Sequence, residues 1–446
     1  MPEKTIVIVG AGSASFGLSV LNGLLANETP LDRATIRLHD IDRAALERME
    51  GLARFVVAER GLDRRIEGSI DPKEAFDGAD CVILSVAVDR EATWKADRER
   101  GLRHGIDHYA ENGGPGALFH TARNLEVILP ILRQMEASCP DAWLLNYTNP
   151  VTRICTAASR YSRIKSIGIC HQIDFGYYMA GVLLHDELGI PLPRDYLFRW
   201  NTPAIGRSHA IAAHAKNLIT IQAAGLNHFT FALAVTDRNG NDLYPLLRER
   251  NRTFDPAFEP LTRRVFELFG YFPVPGDTHL SEYLPFTHEV SRETFRRMDI
   301  QMYDFDWSRA ERRQRAALAR RVVAEQDVSL LDAVGSERAE TVVDALLNRT
   351  PLVDQALNLP NRSAISNLPP DAIVEAPASF LAGTPRLASM GPLPPAIAEL
   401  CGRQVLINEL VVAGIVERDR AKLLQALALD PMVTDPDLPA ALLDEV

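Results

Sequence analysis

The chain has 446 residues, 46% of them hydrophobic, and no long uninterrupted apolar span, which fits two domains sharing one cleft and offers no candidate signal peptide or membrane helix. A formal net charge of −11 at pH 7 argues against nucleic acid or an anionic membrane surface as the main partner. Cys81, Cys139, Cys155, Cys170 and Cys401 are odd in number and lack CxxC spacing, so they read as reduced thiols of a cytoplasmic protein.

The first element is a strand over Ile6–Val9, a β-branched apolar run that ends at Gly10. Gly10 permits a tight turn and Gly12 allows close approach of backbone to a pyrophosphate. Ser13 and Ser15 supply hydroxyls where a helix begins at about Phe16, an end that attracts anions. Ser15 stands where the usual fingerprint has its third glycine, and a bare glycine-rich turn would fit the same residues. The second strand, Thr35–Asp40, ends in an acid suited to a ribose 2′-hydroxyl. Asp40 therefore favours NAD over NADP, with Arg43 close by.

A helix over about 43–60 follows, then a buried strand over Asp80–Val88 that runs into the charged cluster Asp89, Arg90 and Glu91. The glycine-rich Glu111–Gly116 loop leads into a helix from about Leu118 to Met135 and is placed to close over cofactor or substrate, or to serve as a plain connection. A strand from Trp143 delivers Asn149 to the same edge, a helix spans Val151–Tyr161, and Ser166–His171 delivers Cys170 and His171. Alternating strands and helices imply a Rossmann-like doubly wound parallel sheet, with the domain boundary at 172/173.

Residues 173–446 read as a mixed α+β domain, the whole forming a lactate/malate dehydrogenase-like superfold. Leu218–Val235 is rich in strand formers, and Asn239-Gly240 signals a hairpin turn. Helices dominate after Leu261, strand-like runs follow Ile365, and helix returns from about Pro394 to Leu429. Cys170 and His228 are soft and borderline donors suited to a divalent transition metal, although a core cysteine and a satisfied core histidine fit the same residues. Asp277, His279, Tyr283 and His288 form a titratable cluster that would also serve as an ordinary helix entry.

In order along the chain, GAGSASFG, HDID, ENGGPG, NYTNPV, GICHQ, GLNHFTF, LYPLL, GDTHLSEYLPF and AISNLP resemble glycoside hydrolase family 4, the NAD- and metal-dependent glycosidases. The resemblance implies that Cys170 and His228 hold a manganese-like ion that also binds two adjacent substrate hydroxyls, which Asn149 contacts. It implies a general acid at His171, where phospho-glycosidase relatives carry Asp, and a base at Asp277 with Tyr283 in reserve. The implied cofactor site is Gly10, Gly12, Ser13, Ser15, Phe16 and Asp40, with Arg90, Glu111, Asn149 and His171 on the substrate. The implied chemistry is hydride removal from sugar C3, C2 deprotonation beside the polarised ketone, expulsion of the glycosidic oxygen, water addition at C1 and return of the hydride.

The GDTHLSEYLPF and ENGGPG motifs resemble the α-glucosidase and α-galacturonidase branches more than the phospho-glycosidases, and Asp89-Arg90 replaces a glycine pair common in relatives. A guanidinium there suits an anionic C6 group, a hexuronide or a sulfonated sugar; a neutral α-glycoside is the alternative. The family usually forms homodimers or homotetramers. A 2-hydroxy-acid dehydrogenase shares the glycine-rich turn and an NPV-like asparagine but needs no metal, and an inactive NAD-binding sensor would not need both metal residues.

Overall fold

The N-terminal half is a parallel sheet of β1 (Thr5–Val9), β2 (Ala34–His39), β3 (Arg64–Ser69), β4 (Cys81–Leu84), β5 (Trp143–Asn146) and β6 (Lys165–Ile169). Their spatial order is β3-β2-β1-β4-β5-β6, the doubly wound order of dinucleotide-binding folds. The computed structural model describes residues 3–12, 16–26, 28–284 and 298–445. Ile6 and Ile8 pack into the core on one face of β1, and Val7 and Val9 into the core on the other. A strand covered on both faces has no use for polar alternation, hence the unbroken apolar run.

The sheet does not stop at β6. Gly168 and Ile169 pair antiparallel with Asn358 and Leu357 of β9 (Leu352–Pro360). Beyond β9 lie β10 (Ile373–Leu381), β7 (Ile219–Leu226) and β8 (Phe229–Asp237), while β11 (Thr384–Leu387) pairs with β10, completing a sheet of 11 strands. The Pro395–Val416 helix returns to pack on the helices Gly114–Ser138 and Val151–Tyr161 of the first half. There Arg153 Nε donates to Asn408 Oδ1 at 2.7 Å in a buried contact. A division at 172/173 is thus crossed by strand pairing and by helix packing. Among the described residues no helix is long and apolar enough to cross a membrane.

One local expectation changes. The strand expected over 80–88 ends at Leu84; Asp89 then takes a left-handed backbone (φ 39°) and the helix Arg90–Arg103 begins. Asn239-Gly240 forms the expected hairpin turn, with Asp237 N–H donating to Asn241 O at 3.0 Å and Thr236 bridging antiparallel to Asp242. The paired strands β7 and β8 are themselves joined by Asn227-His228. His228 itself occupies the left-handed region (φ 61°), uncommon for a residue with a large side chain. The turn is fastened by Asn227, whose Nδ2 donates to the buried Glu375 at 2.7 Å.

Candidate active site

The carboxyl edge of the parallel strands and the near ends of β7 and β8 enclose a cavity of about 370 Å³. Phe16, Arg90, Glu111, Asn149, Cys170, His171 and His228 all line it, so seven of the residues singled out in the sequence meet in one place. Ser13, Ser15 and His288 lie outside the described residues.

At the nucleotide end, Gly10 has φ 78°, and a Cβ there would stand 2.2 Å from the Ser85 carbonyl oxygen. Only glycine fits that crossing of β1 and β4. Asp40 follows β2 directly; its Oδ2 accepts from Gly12 N at 2.8 Å and its Oδ1 from Asp42 N at 2.9 Å. The carboxylate thus holds the glycine turn.

Cys170 is the residue after β6, and His228 comes from the β7–β8 turn; they meet with Sγ and Nε2 3.3 Å apart. Burial lowers the basicity of His228 well below its ordinary value, with His279 and His171 adding, so the ring is a neutral donor. Burial, reinforced by Glu375, pushes the Cys170 thiol up to about 12. A thiol so placed becomes a thiolate only with a cation beside it. Among the described residues, His228 Nδ1 and Asn149 Oδ1 are buried polar atoms of the cavity lining without a protein partner. A soft sulfur, a neutral imidazole and an orphaned amide oxygen fit a divalent transition ion. Among the described residues no group of three His, Cys, Asp or Glu side chains completes a cage, which leaves coordination positions open. Arg338 braces the site from behind, donating to the Cys170 carbonyl at 2.9 Å and pairing with Asp354 at 2.8 Å.

His171 Nδ1 lies 3.2 Å from Glu337 Oε2. Desolvation is the largest single influence and works against its imidazolium, but the Glu337 hydrogen bond and the charges of Glu337 and Asp174 together outweigh it and raise the pKa. Ser19 Oγ donates to the other Glu337 oxygen at 3.3 Å, and Tyr147 Oη to the Glu337 carbonyl at 2.9 Å. Glu337 is 166 residues from His171, and no local pattern marks it in the sequence.

On the opposite wall, Arg90 lies beside the closely packed pair Trp94 and Tyr303, 5.1 and 5.4 Å from their ring centres, and Nη2 donates to Glu111 Oε1 at 3.2 Å. Burial resists ionisation of Glu111, but Arg90, His279 and His120 outweigh it and hold the carboxyl below the ordinary range. Arg312, paired with Glu91, and Arg315, 3.2 Å from Glu311, reach the cavity from the Phe305–Ala324 helix. Trp200, Tyr303 and Trp307 make an aromatic wall beside them. Isolated aromatic residues spread over the chain carry no periodic signal by which this wall could be found from sequence.

The structure does not bring Asp277 or Tyr283 to the cavity wall. Asp277 points its carboxylate at the helix Pro260–Phe269, accepting from Leu261 N at 3.0 Å and Thr262 N at 2.7 Å, while its own N–H donates to Glu259 at 2.8 Å. It closes a helix start, the alternative use recognised for that cluster. Tyr283 stacks on Phe229 with ring centres 4.7 Å apart and lies against a separate small recess. This segment lines the cavity with Gly276, Thr278 and His279, so His279 is the described member of the titratable cluster found there. Its Nδ1 is 3.1 Å from Glu282 Oε1, and Glu282 Oε2 accepts the backbone N–H groups of Glu111, Asn112 and Gly113 at 2.9, 2.6 and 3.0 Å. The glycine-rich loop is thus wrapped around a fully buried carboxylate as an anion nest.

The sequence matches the models of family 4 glycosyl hydrolase over residues 5–180 and of its C-terminal domain over residues 223–433. It is 30% identical to an alpha-glucosidase of Erwinia rhapontici, covering 95% of this chain and 93% of that protein. It is 27% identical to an alpha-galacturonidase of Bacillus subtilis (strain 168), covering 97% and 94%. A candidate glucosidase from Bacillus subtilis superposes with a TM-score of 0.84 at 24% identity, over 99% of both chains. A 6-phospho-alpha-glucosidase from gut microorganisms, solved with NAD and Mn2+, gives 0.75 at 20% identity over 99% and 97%. The two matched segments together span most of the chain, in the order the motifs require, and the chain belongs to glycosyl hydrolase family 4.

Proposed function

We propose that this family 4 enzyme cleaves an α-linked glycoside with an anionic group at C6, a hexuronide or a sulfonated hexose, working with NAD and a manganese-like divalent ion. Bound at this site, the dinucleotide supplies a reversible hydride acceptor for sugar C3, and the ion a Lewis acid for the C3 oxygen. The chain's own residues do the rest. Gly10, Gly12 and Asp40 hold the dinucleotide, with Phe16 packed against Tyr147 and His171 at the inner end. Cys170 and His228 hold the ion, and Asn149 offers its free Oδ1 to a sugar hydroxyl. His171, charged through Glu337, donates a proton to the departing glycosidic oxygen.

The observation that carries the substrate reading is Arg90. Of its five N–H donors one is given to Glu111, and the guanidinium rests beside the Trp94 and Tyr303 rings at the cavity wall. Such a fork matches a carboxylate or sulfonate, and a lysine ammonium does not reproduce it.

Aryl α-glycosides that differ only at C6, assayed with NAD and manganese, test this. The C6-acidic member should be preferred. Arg90→Lys, which leaves Glu111 a cation, should cost roughly tenfold to a hundredfold in kcat/KM on the acidic sugar and little on the neutral one. Equal turnover of both sugars, or an equal loss on both, would instead support a neutral α-glycosidase in which Arg90 serves only to neutralise Glu111.

A further inference from the structure

A reaction that removes a proton from C2 needs a base beside the ion, because the carbon that loses the proton neighbours the carbonyl that the ion polarises. That base must also stay off the ion's own bonding directions. The His279 ring lies parallel to His228, with ring centres 4.1 Å apart and 6° between planes. Imidazole lone pairs lie in the ring plane, so parallel stacked rings direct them along separate parallel lines, and one ion cannot sit on both. His279 therefore stands next to a metal ligand without being one.

We propose that His279 is the base that takes the C2 proton, held for that task by Glu282. The proposal rests on the glycosidase reading above. Glu282 is wholly buried and fixed by three backbone donors, so it accepts the Nδ1 proton of His279 and leaves Nε2 as the basic nitrogen. Among the described residues Nε2 has no protein partner, and the ring lines the cavity.

The other groups nearby are worse placed or worse suited. Asp277 is spent on two backbone N–H groups, and Tyr283 lies off the cavity. Glu111 is ion-paired with Arg90, and burial pushes the Tyr109 phenol well above its ordinary value. His120 is driven down to about 4 by burial.

The step balances as follows. Once the nicotinamide cofactor has taken hydride from C3, Nε2 takes the C2 proton and the C2–H electron pair becomes an enolate on the C3 oxygen. The enolate pair then forms the C1–C2 double bond as the C1–O bond breaks, and the leaving oxygen takes a proton from His171. Water then adds at C1 and gives its proton to the now neutral His171, and the C1–C2 pair returns as the enolate. The imidazolium of His279 gives its proton to C2, and the hydride returns to C3 from the reduced nicotinamide.

The test is turnover of an aryl α-hexosiduronide in heavy water by the NAD- and manganese-loaded enzyme, with deuterium at C2 of the released sugar read by NMR. Manganese affinity is measured separately by electron paramagnetic resonance. The wild type should place deuterium at C2. His279→Gln should lose that exchange by about a hundredfold or more, the scale of a removed general base. It should still form NADH in a single turnover, bind manganese within about twofold of the wild type, and melt at the same temperature, since its ring is not counted among the ligands. His279→Asn carries the same expectation should glutamine disturb the segment. Added imidazole should restore exchange to His279→Ala.

Retained C2 exchange in both amide variants, or a tenfold or larger loss of manganese affinity, would overturn the assignment. A wild type that forms neither NADH nor C2-labelled sugar with any glycoside would instead overturn the glycosidase reading beneath it.

Discussion

The two halves of the cavity wall are built on different logics. On the parallel side, the ends of two strands deliver Asn149 and Cys170, and each is fixed by where its strand stops. On the antiparallel side, His228, His279 and Glu337 arrive from a hairpin turn, a helical turn of four residues and the residues before a helix. Strand-end residues face a site because the sheet's polarity leaves them nowhere else to go. Turn residues face it only if hydrogen bonds elsewhere set the turn, so one position can decide between a structural and a chemical role. Asp277 and His279 are two residues apart: the first starts a helix, and the second lines the cavity.

The largest expected effect lies where the halves meet. Cys170→Ser and His228→Ala should each abolish metal-dependent turnover and manganese binding while NAD binding, followed by fluorescence, persists, because the dinucleotide turn is held separately by Gly10, Gly12 and Asp40. Full activity in the presence of a chelator would sink this.

Next is Glu337, which meets His171 of the parallel side. Glu337→Gln removes the carboxylate that raises the His171 pKa, so glycosides with poor leaving groups should slow by about tenfold to a hundredfold. Activated aryl glycosides, which need little proton assistance, should slow far less. An equal loss across leaving groups would make Glu337 a structural brace only.

What the sequence made legible follows the same division. The apolar run Ile6–Val9, the acid after the second strand and the cysteine after the last parallel strand are local patterns, and the sheet turned each into a position. Cys170 and His228 were legible as donors, and their meeting at 3.3 Å depends on β7 and β8 extending the same sheet. The cluster around Asp277 was legible as titratable, but which member faced inward was not. That is decided by Asp277 serving the N–H groups of Leu261 and Thr262, a contact no spacing announces. Glu337 and Glu282 were out of reach for the same reason: a buried carboxylate is recognised by its partners, and its partners are distant in sequence.

Asp277→Asn separates stability from chemistry on the antiparallel side. It leaves one acceptor for two buried N–H groups and removes the charge, a loss of roughly 1–3 kcal/mol in stability. The melting temperature should fall, yet turnover per folded molecule should stay near wild type. A collapse of turnover in the folded variant would return the base role to Asp277.

The smallest effect is expected at the nucleotide end, from Asp40→Ala. Its carboxylate has two jobs: Oδ2 holds Gly12 N at 2.8 Å, and the same group faces the place of the ribose 2′-hydroxyl. Removing it deletes one charge-assisted hydrogen bond to NAD and the repulsion that excludes a 2′-phosphate, so the preference for NAD over NADP should narrow by roughly tenfold. NAD affinity should also weaken, because the Gly12 amide loses its acceptor and the turn is less ordered before the pyrophosphate arrives. Asp40→Asn distinguishes the two jobs, since its amide oxygen can still accept from Gly12 while the charge is gone. It should keep most of the NAD affinity and still lose discrimination. If both variants keep the full preference for NAD, the ribose contact lies elsewhere, and the neighbouring Asp42 is the next residue to change. Asp42 already accepts from Ala44 N and Ala45 N at the start of its helix, so a helical readout would have to accompany that test.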